Sequence, residues 1–388
     1  MINYKAIETV AKTVSVKKFV INKAHKRLNF PNDPKSLDTK KMELAKKFIS
    51  KWSSYTPTKL RELTKVADFC GVKAVYYKDE STRLGLGSFK ALGGAYAVKR
   101  LVEDKKSLGV PASSITVATA TDGNHGRSVA WGARAAGCKS KIFIHANVSK
   151  NREMAMTELG AEVFRVEGNY EDSLEECNIL AEENGWSMVS DTSWGQREET
   201  PLRILAGYSL IADEALVQMG KDKPTHTFLP VGCGGLAAAI VARLWDEMGK
   251  NIGKVISVES AFSSCLLESV EAEMRTCIDT EQETVMAGLS CGEVSVIAWK
   301  ILRQTLTHCI SLEDCAVAPI MKLFANRGAN GHNIEAGECS TAGLAAFLSA
   351  QTEPKIAAAM DFDKDSIIFL IGTEGATDRE IYDKLLKA

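Results

Sequence analysis

Residues 80–96 read ESTRLGLGSFKALGGAY, and the rest of the chain can be organised around this stretch. Gly85 and Gly87 allow backbone turns that a Cβ would resist, and the small residues that follow Lys90 let a helix lie very close to a neighbour. The preceding run, VYYKDE at 75–80, is rich in residues that favour strands. We therefore expect Lys90 to follow a strand and to lie at the start of a helix, out of bulk water.

A lysine in such a place can lose its proton near neutral pH, because burial disfavours the ammonium form. Its neutral amine can attack an aldehyde, and the aldehyde that enzymes use in this way is pyridoxal phosphate. The alternative is a lysine at a helix start whose amine reaches solvent. The motif Ser-Phe-Lys alone does not decide between the two.

The amino-acid composition is typical of a globular protein and does not indicate a nucleic-acid or membrane partner. The 388 residues are 45% hydrophobic, enough to bury a large core, and we expect two lobes. Lys plus Arg (48) nearly balances Asp plus Glu (49), which gives no indication of binding to nucleic acid or anionic lipid. The polar start is unlike a secretory signal, and no apolar run reaches spanning length. We expect a cytoplasmic protein.

Ten cysteines are scattered along the chain without Cys-x-x-Cys pairs. This spacing argues against a zinc site and against a disulfide scaffold, so we expect no metal and mostly buried thiols.

Strand and helix patterns alternate along most of the sequence. Strands are predicted at 115–120, 141–145 and 162–166, with helices between them and a further helix at 170–183. A second series begins with a helical region at 201–219 and continues with a strand at 225–230 and a helix at 237–248. Such alternation indicates parallel sheets built from βαβ units. No repeat or linker separates the lobes, so we expect them to be interleaved in sequence.

Two turns between strands and helices carry candidate binding groups. Gly232, Gly234 and Gly235 would leave backbone N–H groups open at a helix N-terminus, which suits a phosphate, although a purely structural turn is equally compatible with the pattern. Asn124 and His125 follow another strand, where open α/β sheets place ligands. The Asn124 amide could bond a phenolate oxygen, and His125 is more readily explained as a packed side chain.

Together these elements resemble the fold-type II pyridoxal phosphate enzymes, the group of the tryptophan synthase β subunit and threonine dehydratase. The resemblance rests on residues 88–90, 123–125 and 232–235 and on a C-terminal strand that ends in a hydroxyl residue. It implies an α/β fold with two open, twisted, mostly parallel sheets that have helices on both faces. It also implies a large cofactor-binding domain of residues 1–95 plus 203–388, a small domain of 96–202, and an active site in the cleft between them.

Within that group the chain is most similar to the diaminopropionate ammonia-lyase family, over nearly its whole length. The motifs that carry this similarity are KDESTR at 78–83, FKALGGAY at 89–96, TDGNHGR at 121–127, DTSW at 191–194, MAGLSCGE at 286–293 and TEG at 373–375. Generic members of the fold usually have serine where Asp122 stands. The resemblance implies α,β-elimination of D- and L-2,3-diaminopropionate to pyruvate and ammonia.

The same resemblance implies a set of site residues. The catalytic residues would be Lys90 and Asp122, and the substrate-binding residues would be Asp191, Thr121 and Tyr55. The cofactor-binding residues would be Lys90, Asn124, Gly232, Cys233, Gly234, Gly235, Leu236 and Thr373. Asp122 and Asp191 could instead cap local turns.

Two departures from the family pattern concern the cofactor's surroundings. Gly372 stands where relatives often have serine, so either position 372 or Thr373 could face the pyridine nitrogen. Residues 337–341 read GECST where GESGA is expected. Cys265 and Cys291 are expected near the entrance, and a reducing cytoplasm favours free thiols there over a disulfide.

Three functions remain open at this point. The first is the ammonia-lyase, the second is a serine or threonine dehydratase or a β-replacement synthase of the same fold, and the third is a regulatory protein that binds pyridoxal phosphate without turnover. The expected partner is a small amino-acid substrate. A homodimer is expected from the family and is the commonest closed assembly.

Overall fold

The computed structural model describes residues 4–25, 37–121, 123–193, 198–280 and 282–388. The strands within these ranges are β1 (Val16–Ile21), β2 (Lys59–Glu62), β3 (Ala74–Asp79), β4 (Thr116–Ala120), β5 (Lys139–His145), β6 (Glu162–Val166), β7 (Ser187–Met188), β8 (His226–Pro230), β9 (Lys254–Ser260), β10 (His308–Leu312) and β11 (Ile367–Gly372). The helices are α1 (Lys5–Thr13), α2 (Thr39–Ile49), α3 (Thr64–Cys70), α4 (Lys90–Ser107), α5 (Asn124–Ala136), α6 (Lys150–Thr157), α7 (Tyr170–Glu183), α8 (Glu199–Tyr208), α9 (Leu210–Met219), α10 (Gly235–Met248), α11 (Cys265–Glu271), α12 (Val296–Thr305), α13 (Val317–Ala325), α14 (Ala342–Thr352), α15 (Pro354–Met360) and α16 (Arg379–Lys387).

The strands form two sheets. The larger has seven strands in the order β1-β10-β9-β8-β11-β3-β2, and the smaller has four in the order β6-β5-β4-β7. Neighbours pair in parallel, except that β1 and β2 run antiparallel at the two edges of the larger sheet. The predicted α/β fold with two mostly parallel sheets is confirmed.

Strand β11 shows why this sheet is covered on both faces. All of its residues are buried, and its side chains alternate between two hydrophobic cores. Phe369 and Ile371 pack into the core that contains α4, α8 and α10, whereas Ile368 and Leu370 pack into the core that contains α13 and α14. A parallel strand buried on both faces reads as an unbroken apolar run, as IIFLIG does here.

The small residues after Lys90 allow the close helix packing that the sequence predicts. A Cβ at Gly93 would lie 2.4 Å from the ring of Tyr208, so any larger residue would separate α4 from α8. This contact brings the C-terminal end of α8 beside the first turn of α4. Lys90 therefore starts a helix that is tightly packed on the side of Tyr208.

Some elements differ from the predicted pattern. The helical region expected at 201–219 is divided into α8 and α9, which meet at Ser209. The chain start contributes an edge strand, β1, which the strand and helix pattern did not predict, while α1 packs on α13 and α14. The strands of the smaller sheet lie between Thr116 and Met188, and the domain boundaries near 95 and 202 stay a prediction. Of the helices in the described part of the chain, none has the length and apolar character needed to cross a membrane.

Candidate active site

Lys90 lies at the carboxyl ends of two adjacent parallel strands. Strand β3 leads into a short 3-10 segment, Glu80–Gly85, and Lys90 is the first residue of α4. The connection is attached to the end of β11, because the Phe89 N–H donates to the Thr373 carbonyl at 2.9 Å and the Gly375 N–H donates to the Gly87 carbonyl at 3.0 Å. These bonds hold the lysine at the sheet edge where ligands of α/β proteins bind.

The Lys90 ammonium pairs directly with the carboxylate of Asp191. Burial favours the neutral amine, but the attraction of Asp191 outweighs it, so the pKa of Lys90 lies well above its usual value. Burial lowers the pKa of this lysine, as the sequence predicts, but the sequence pattern did not include Asp191. The adjacent carboxylate stabilises the charged form and raises the pKa of Lys90 above its usual value.

Asp191 follows β7 and is brought to Lys90 by the tertiary fold. Burial raises the pKa of its carboxyl group, yet the facing Lys90 ammonium more than offsets this, and the pKa lies well below its usual range. The local turn is capped by Ser190 instead, whose hydroxyl accepts the Thr192 N–H at 3.2 Å. Within the described residues Asp191 thus pairs with a cation, and its role toward a substrate stays a prediction.

Two buried polar atoms beside this pair have no hydrogen-bond partner among the described residues. His125 donates from Nε2 to the Val189 carbonyl at 2.7 Å, which leaves Nδ1 unprotonated and 3.8 Å from the Asp191 carboxylate. Burial lowers the pKa of His125, so its ring is neutral. Tyr208, in contact with Phe89, is 2% exposed and its hydroxyl is likewise unpartnered. An unpaired buried polar atom is unfavourable, and this arrangement is typical of a site that receives a ligand.

Sequence reasoning missed Tyr208. It lies in the apolar pattern of a helix, where a tyrosine reads as an ordinary core residue. Its charge interaction with Lys90 and Asp191 arises only from the packing of α8 on α4.

The glycine turn at 231–236 connects β8 to α10 and has the features of an anion site. Gly234 has a φ of 88°, which glycine adopts without strain. The Ala238 N–H donates to the Gly234 carbonyl at 2.9 Å, and within the described residues no side chain caps this end of α10. The N–H groups of the first turn are therefore available to a phosphate, which the helix dipole also favours.

This turn lies next to the Lys90–Asp191 pair. A Cβ at Gly235 would lie 3.9 Å from the Asp191 carbonyl oxygen, and the Cys233 thiol interacts electrostatically with Lys90. The lysine and the glycine turn, predicted from separate parts of the sequence, are thus brought together.

The start of α5 contributes Asn124 and the preceding Thr121. The Thr121 hydroxyl accepts the N–H groups of Gly123 at 3.0 Å and Gly126 at 3.1 Å, so it organises the turn into the helix. Asn124 donates from Nδ2 to a carboxylate oxygen of Glu374 at 3.4 Å. Asp122, predicted as a catalytic residue, lies outside the described residues.

The end of β11 explains the unexpected glycine at position 372. A Cβ there would lie 2.1 Å from the hydroxyl oxygen of Tyr77, so the tyrosine occupies the space that a side chain would need. Thr373 is 1% exposed, and its hydroxyl hydrogen-bonds with Ser340 at 3.2 Å. Of the two positions, only Thr373 carries a hydroxyl.

Tyr55 takes part in a different cluster. Its hydroxyl donates to Glu214 at 2.8 Å, and that carboxylate also binds Arg83 and Lys78. A contact of Tyr55 with substrate stays a prediction.

The predicted entrance cysteines approach each other and the glycine turn. Cys291 lies within hydrogen-bonding reach of both Cys233 and Cys265, and all three are free thiols. Cys265 also contacts the Gly232 carbonyl oxygen at 3.7 Å.

The residues present fit pyridoxal phosphate. The site offers an amine at Lys90 for the aldehyde and an uncapped helix end with a glycine turn for the phosphate. It also has unpartnered polar atoms on His125 and Tyr208 beside these groups, where a polar ligand would complete the hydrogen bonding.

Comparison with known proteins agrees with this fit. The model of the family described as "Pyridoxal-phosphate dependent enzyme" matches residues 52–370. The diaminopropionate ammonia-lyase of Escherichia coli (strain K12) is 34% identical over 360 residues, which cover 89% of this chain and 90% of that protein.

Solved structures of the E. coli diaminopropionate ammonia-lyase are similar to nearly the whole chain. The complex with D-serine has a TM-score of 0.88 at 32% identity and covers 96% of this chain and 98% of its own. The complex with an aminoacrylate-PLP azomethine reaction intermediate has a TM-score of 0.87 at 33% identity, with the same coverage of 96% and 98%.

Proposed function

The chain belongs to the pyridoxal-phosphate dependent enzymes and, within them, to the diaminopropionate ammonia-lyases, and we propose that it converts 2,3-diaminopropionate to pyruvate and ammonia. Both the D and the L isomer are proposed substrates. The protein is thus a carbon–nitrogen lyase whose cofactor is pyridoxal phosphate. When bound, this cofactor accepts electrons released from the substrate Cα, which allows the β-amino group to depart.

Lys90 is the proposed attachment point of the cofactor and the base for the L isomer. Its Nζ lies at the start of α4, beside the turn that would hold the phosphate. As an ammonium, Lys90 cannot accept a proton, so its ion pair with Asp191 must break before Lys90 acts as a base. The ammonium of the substrate has the same charge as Lys90 and can replace it beside Asp191.

Asp191 is the proposed site for the distal ammonium of diaminopropionate. In the chain itself this carboxylate already pairs with an ammonium, that of Lys90. Its low pKa keeps it ionised at neutral pH, and a charge-assisted hydrogen bond to the β-amino group would orient that group. Serine carries a hydroxyl in place of this ammonium and would gain less from Asp191.

The remaining contacts to the cofactor are assigned by chemistry. The phosphate would accept hydrogen bonds from the open N–H groups of residues 232–236. The Asn124 amide would donate a hydrogen bond to the phenolate oxygen, and the Thr373 hydroxyl would face the pyridine nitrogen. A hydroxyl at this nitrogen, unlike a carboxylate, does not favour its protonation. Thr121 and Tyr55 remain proposed substrate contacts.

Asp122 is proposed as the base for the D isomer. The D isomer presents its Cα proton to the face opposite the one that Lys90 serves, so a second base is needed. We expect Asp122→Asn to abolish turnover of D-diaminopropionate while substantial activity on the L isomer remains, measured as pyruvate formation. Equal proportional losses on both isomers would contradict a two-base mechanism.

The observation that carries the proposal is the Lys90–Asp191 pair beside the uncapped glycine turn, in a chain of this family. The test is a pyruvate and ammonia assay of the purified protein, loaded with pyridoxal phosphate, on both isomers of diaminopropionate and serine and on L-threonine. We expect diaminopropionate to be the preferred substrate, with twice as much ammonia as pyruvate released. Faster turnover of serine or threonine would favour a dehydratase, and no product from any amino acid would favour a regulatory protein.

The proposal also includes a cellular location, an oligomeric state and a division into domains. A cytoplasmic location is supported by the balanced charge and scattered cysteines, and a homodimer by the prevalence of two-fold assemblies. The division into domains of 1–95 plus 203–388 and of 96–202 is supported by the grouping of β4 to β7 in a separate sheet.

A further inference from the structure

A second carboxylate lies beside the site, and the proposed function gives it no role. Glu374 follows β11, and its side chain is buried at 4% exposure. One carboxylate oxygen accepts the Cys339 N–H at 3.1 Å, and the other accepts Nδ2 of Asn124 at 3.4 Å. Glu374 thus connects a fixed backbone group to a side chain that is assigned to the cofactor.

The backbone of Glu374 is held in place on both sides. The Ser340 hydroxyl donates to its carbonyl at 2.6 Å and accepts its N–H at 2.7 Å. Glu374 also forms an antiparallel bridge with Ser88, close to Lys90 in the chain. The carboxylate is therefore presented to Asn124 from a rigid support.

The charges around Glu374 set its protonation. Burial raises the pKa of Glu374 to about 7, and the neighbouring carboxylate of Glu338 adds to this effect. Glu338 in turn pairs with Arg152 at 3.1 Å. Among the described residues, Cys339, Tyr77 and Asp378 also interact with these two carboxyls, and hydrogen bonds from Cys339 and Thr373 oppose the rise in the pKa of Glu374. A carboxyl with a pKa of about 7 changes its protonation across the neutral pH range.

Protonation decides which atom of the Asn124 amide faces Glu374. An ionised carboxylate only accepts hydrogen bonds, so it selects the NH₂ group of the amide. A protonated carboxyl can donate as well, and it no longer distinguishes the NH₂ group from the amide oxygen.

We propose that Glu374 is a positioning residue that orients the Asn124 amide, so that its second N–H remains available to the phenolate oxygen of pyridoxal phosphate. This inference rests on the proposed function, because that function assigns Asn124 to the phenolate. If the amide turned over, its oxygen would face the phenolate, and two acceptors would repel each other. The orientation therefore affects both the affinity for the cofactor and its absorption spectrum.

The test uses Glu374→Gln, Asn124→Ala, the double variant, and Glu338→Gln as the matched control. In Glu374→Gln the glutamine oxygen can still accept the Cys339 N–H, which leaves its NH₂ group facing Asn124 and reverses the amide. The readouts are the dissociation constant of pyridoxal phosphate, from titration of the cofactor-free protein, and the absorption spectrum of the bound cofactor between pH 5.5 and 8.5. Thermal unfolding checks that each variant is folded.

We expect Glu374→Gln to weaken cofactor binding roughly tenfold, in line with loss of one hydrogen bond to a charged group. Asn124→Ala should have a similar effect, and the double variant should be no worse than Asn124→Ala. The wild-type spectrum should change with a midpoint near pH 7, and this change should be absent from Glu374→Gln. In Glu338→Gln the change should persist with its midpoint at lower pH, because a neighbouring negative charge is removed.

Additive losses in the double variant, or a spectral midpoint that persists in Glu374→Gln, would overturn the positioning role. If Glu374→Gln does not fold, the pH titration of the wild type against Asn124→Ala decides, and an identical midpoint in both would overturn it. Borohydride reduction separates this result from failure of the proposed function. A wild type that cannot be labelled at Lys90 contradicts both, whereas normal labelling with an unaltered Glu374→Gln contradicts only the role of Glu374.

Discussion

Arg83 and Lys90 lie close together in the chain, and both are cations paired with carboxylates, but their surroundings differ. Arg83 is fully buried and donates from Nε and both Nη atoms to Glu80 and Glu214 at 2.7–2.8 Å. Lys78 completes this buried charge network by donating to Glu214 at 2.7 Å and to the Thr58 carbonyl at 2.7 Å. Every charge in it is met by several hydrogen bonds.

The Lys90 site is less complete. One ammonium meets one carboxylate, and the adjacent atoms His125 Nδ1 and Tyr208 Oη have no partner among the described residues. The difference teaches that hydrogen bonding distinguishes the two kinds of cluster. The charged atoms of a structural cluster all have hydrogen-bond partners, whereas a ligand site leaves some polar atoms without one. The network supports the connection that carries Lys90, while the site keeps polar atoms for a ligand.

The largest effect should come from Lys90→Ala. If Lys90 attaches the cofactor and accepts the Cα proton, its loss should reduce pyruvate formation by roughly 10⁴-fold or more and remove the absorption of the protein-bound cofactor. The matched control is Lys46→Ala, since Lys46 forms an ion pair with Asp213 at 2.9 Å and has no assigned role. Near-normal turnover by Lys90→Ala would end the assignment.

Breaking the buried charge network should affect folding. Glu214→Gln removes the carboxylate shared by Lys78 and Arg83, and loss of one partner of a buried pair typically costs about 3–5 kcal/mol. Urea unfolding measures the change. Glu8→Gln, which breaks an exposed pair with Lys12, is the control and should leave the midpoint unchanged. A wild-type midpoint for Glu214→Gln would show that the saturated network contributes little.

Asp191→Asn should change specificity. A charge-assisted contact is worth roughly 1.5–3 kcal/mol, so the loss in kcat/KM should be roughly 10- to 150-fold larger for diaminopropionate than for serine. Steady-state kinetics with both substrates make this comparison. Equal losses would indicate that Asp191 acts only by pairing with Lys90.

A smaller effect is expected on the pH dependence of stability, and it comes from Glu259, a buried carboxyl far in sequence from these ion pairs. Glu259 accepts the N–H groups of Leu266 and Leu267 at 2.8 Å, and burial raises its pKa to about 8. Between about pH 4.5 and pH 8 the folded state holds a proton that the unfolded carboxyl releases, so Glu259 makes the free energy of unfolding fall as pH rises. Urea midpoints at pH 7 and 8 should differ less in Glu259→Gln than in the wild type. An unchanged difference would contradict the raised pKa.

Much of the fold was accessible because its signals are local. The helix at 170–183 and the strand at 162–166 were predicted with the bounds that the structure has, since apolar periodicity and capping act over a few residues. The edge strand β1 was not predicted, because its six residues are all partly or fully exposed and it is defined by pairing with β10, far away in sequence. The break between α8 and α9 at Ser209 was not predicted either, because Gly207, two residues before it, is explained only by the close approach of α8 to the Leu92 carbonyl of α4.

The sequence by itself determined where the chemistry is placed. Lys90 after a strand and the glycine turn before α10 follow from residue types and spacing, because strand ends and helix starts are local features. Only the tertiary structure decided which groups meet. The pairing of Lys90 with Asp191, the approach of Tyr208 and the contact of Glu374 with Asn124 join residues far apart in sequence. The pKa of Lys90 depends on such a neighbour, so a local pattern that predicted a neutral amine could not foresee the carboxylate that charges it.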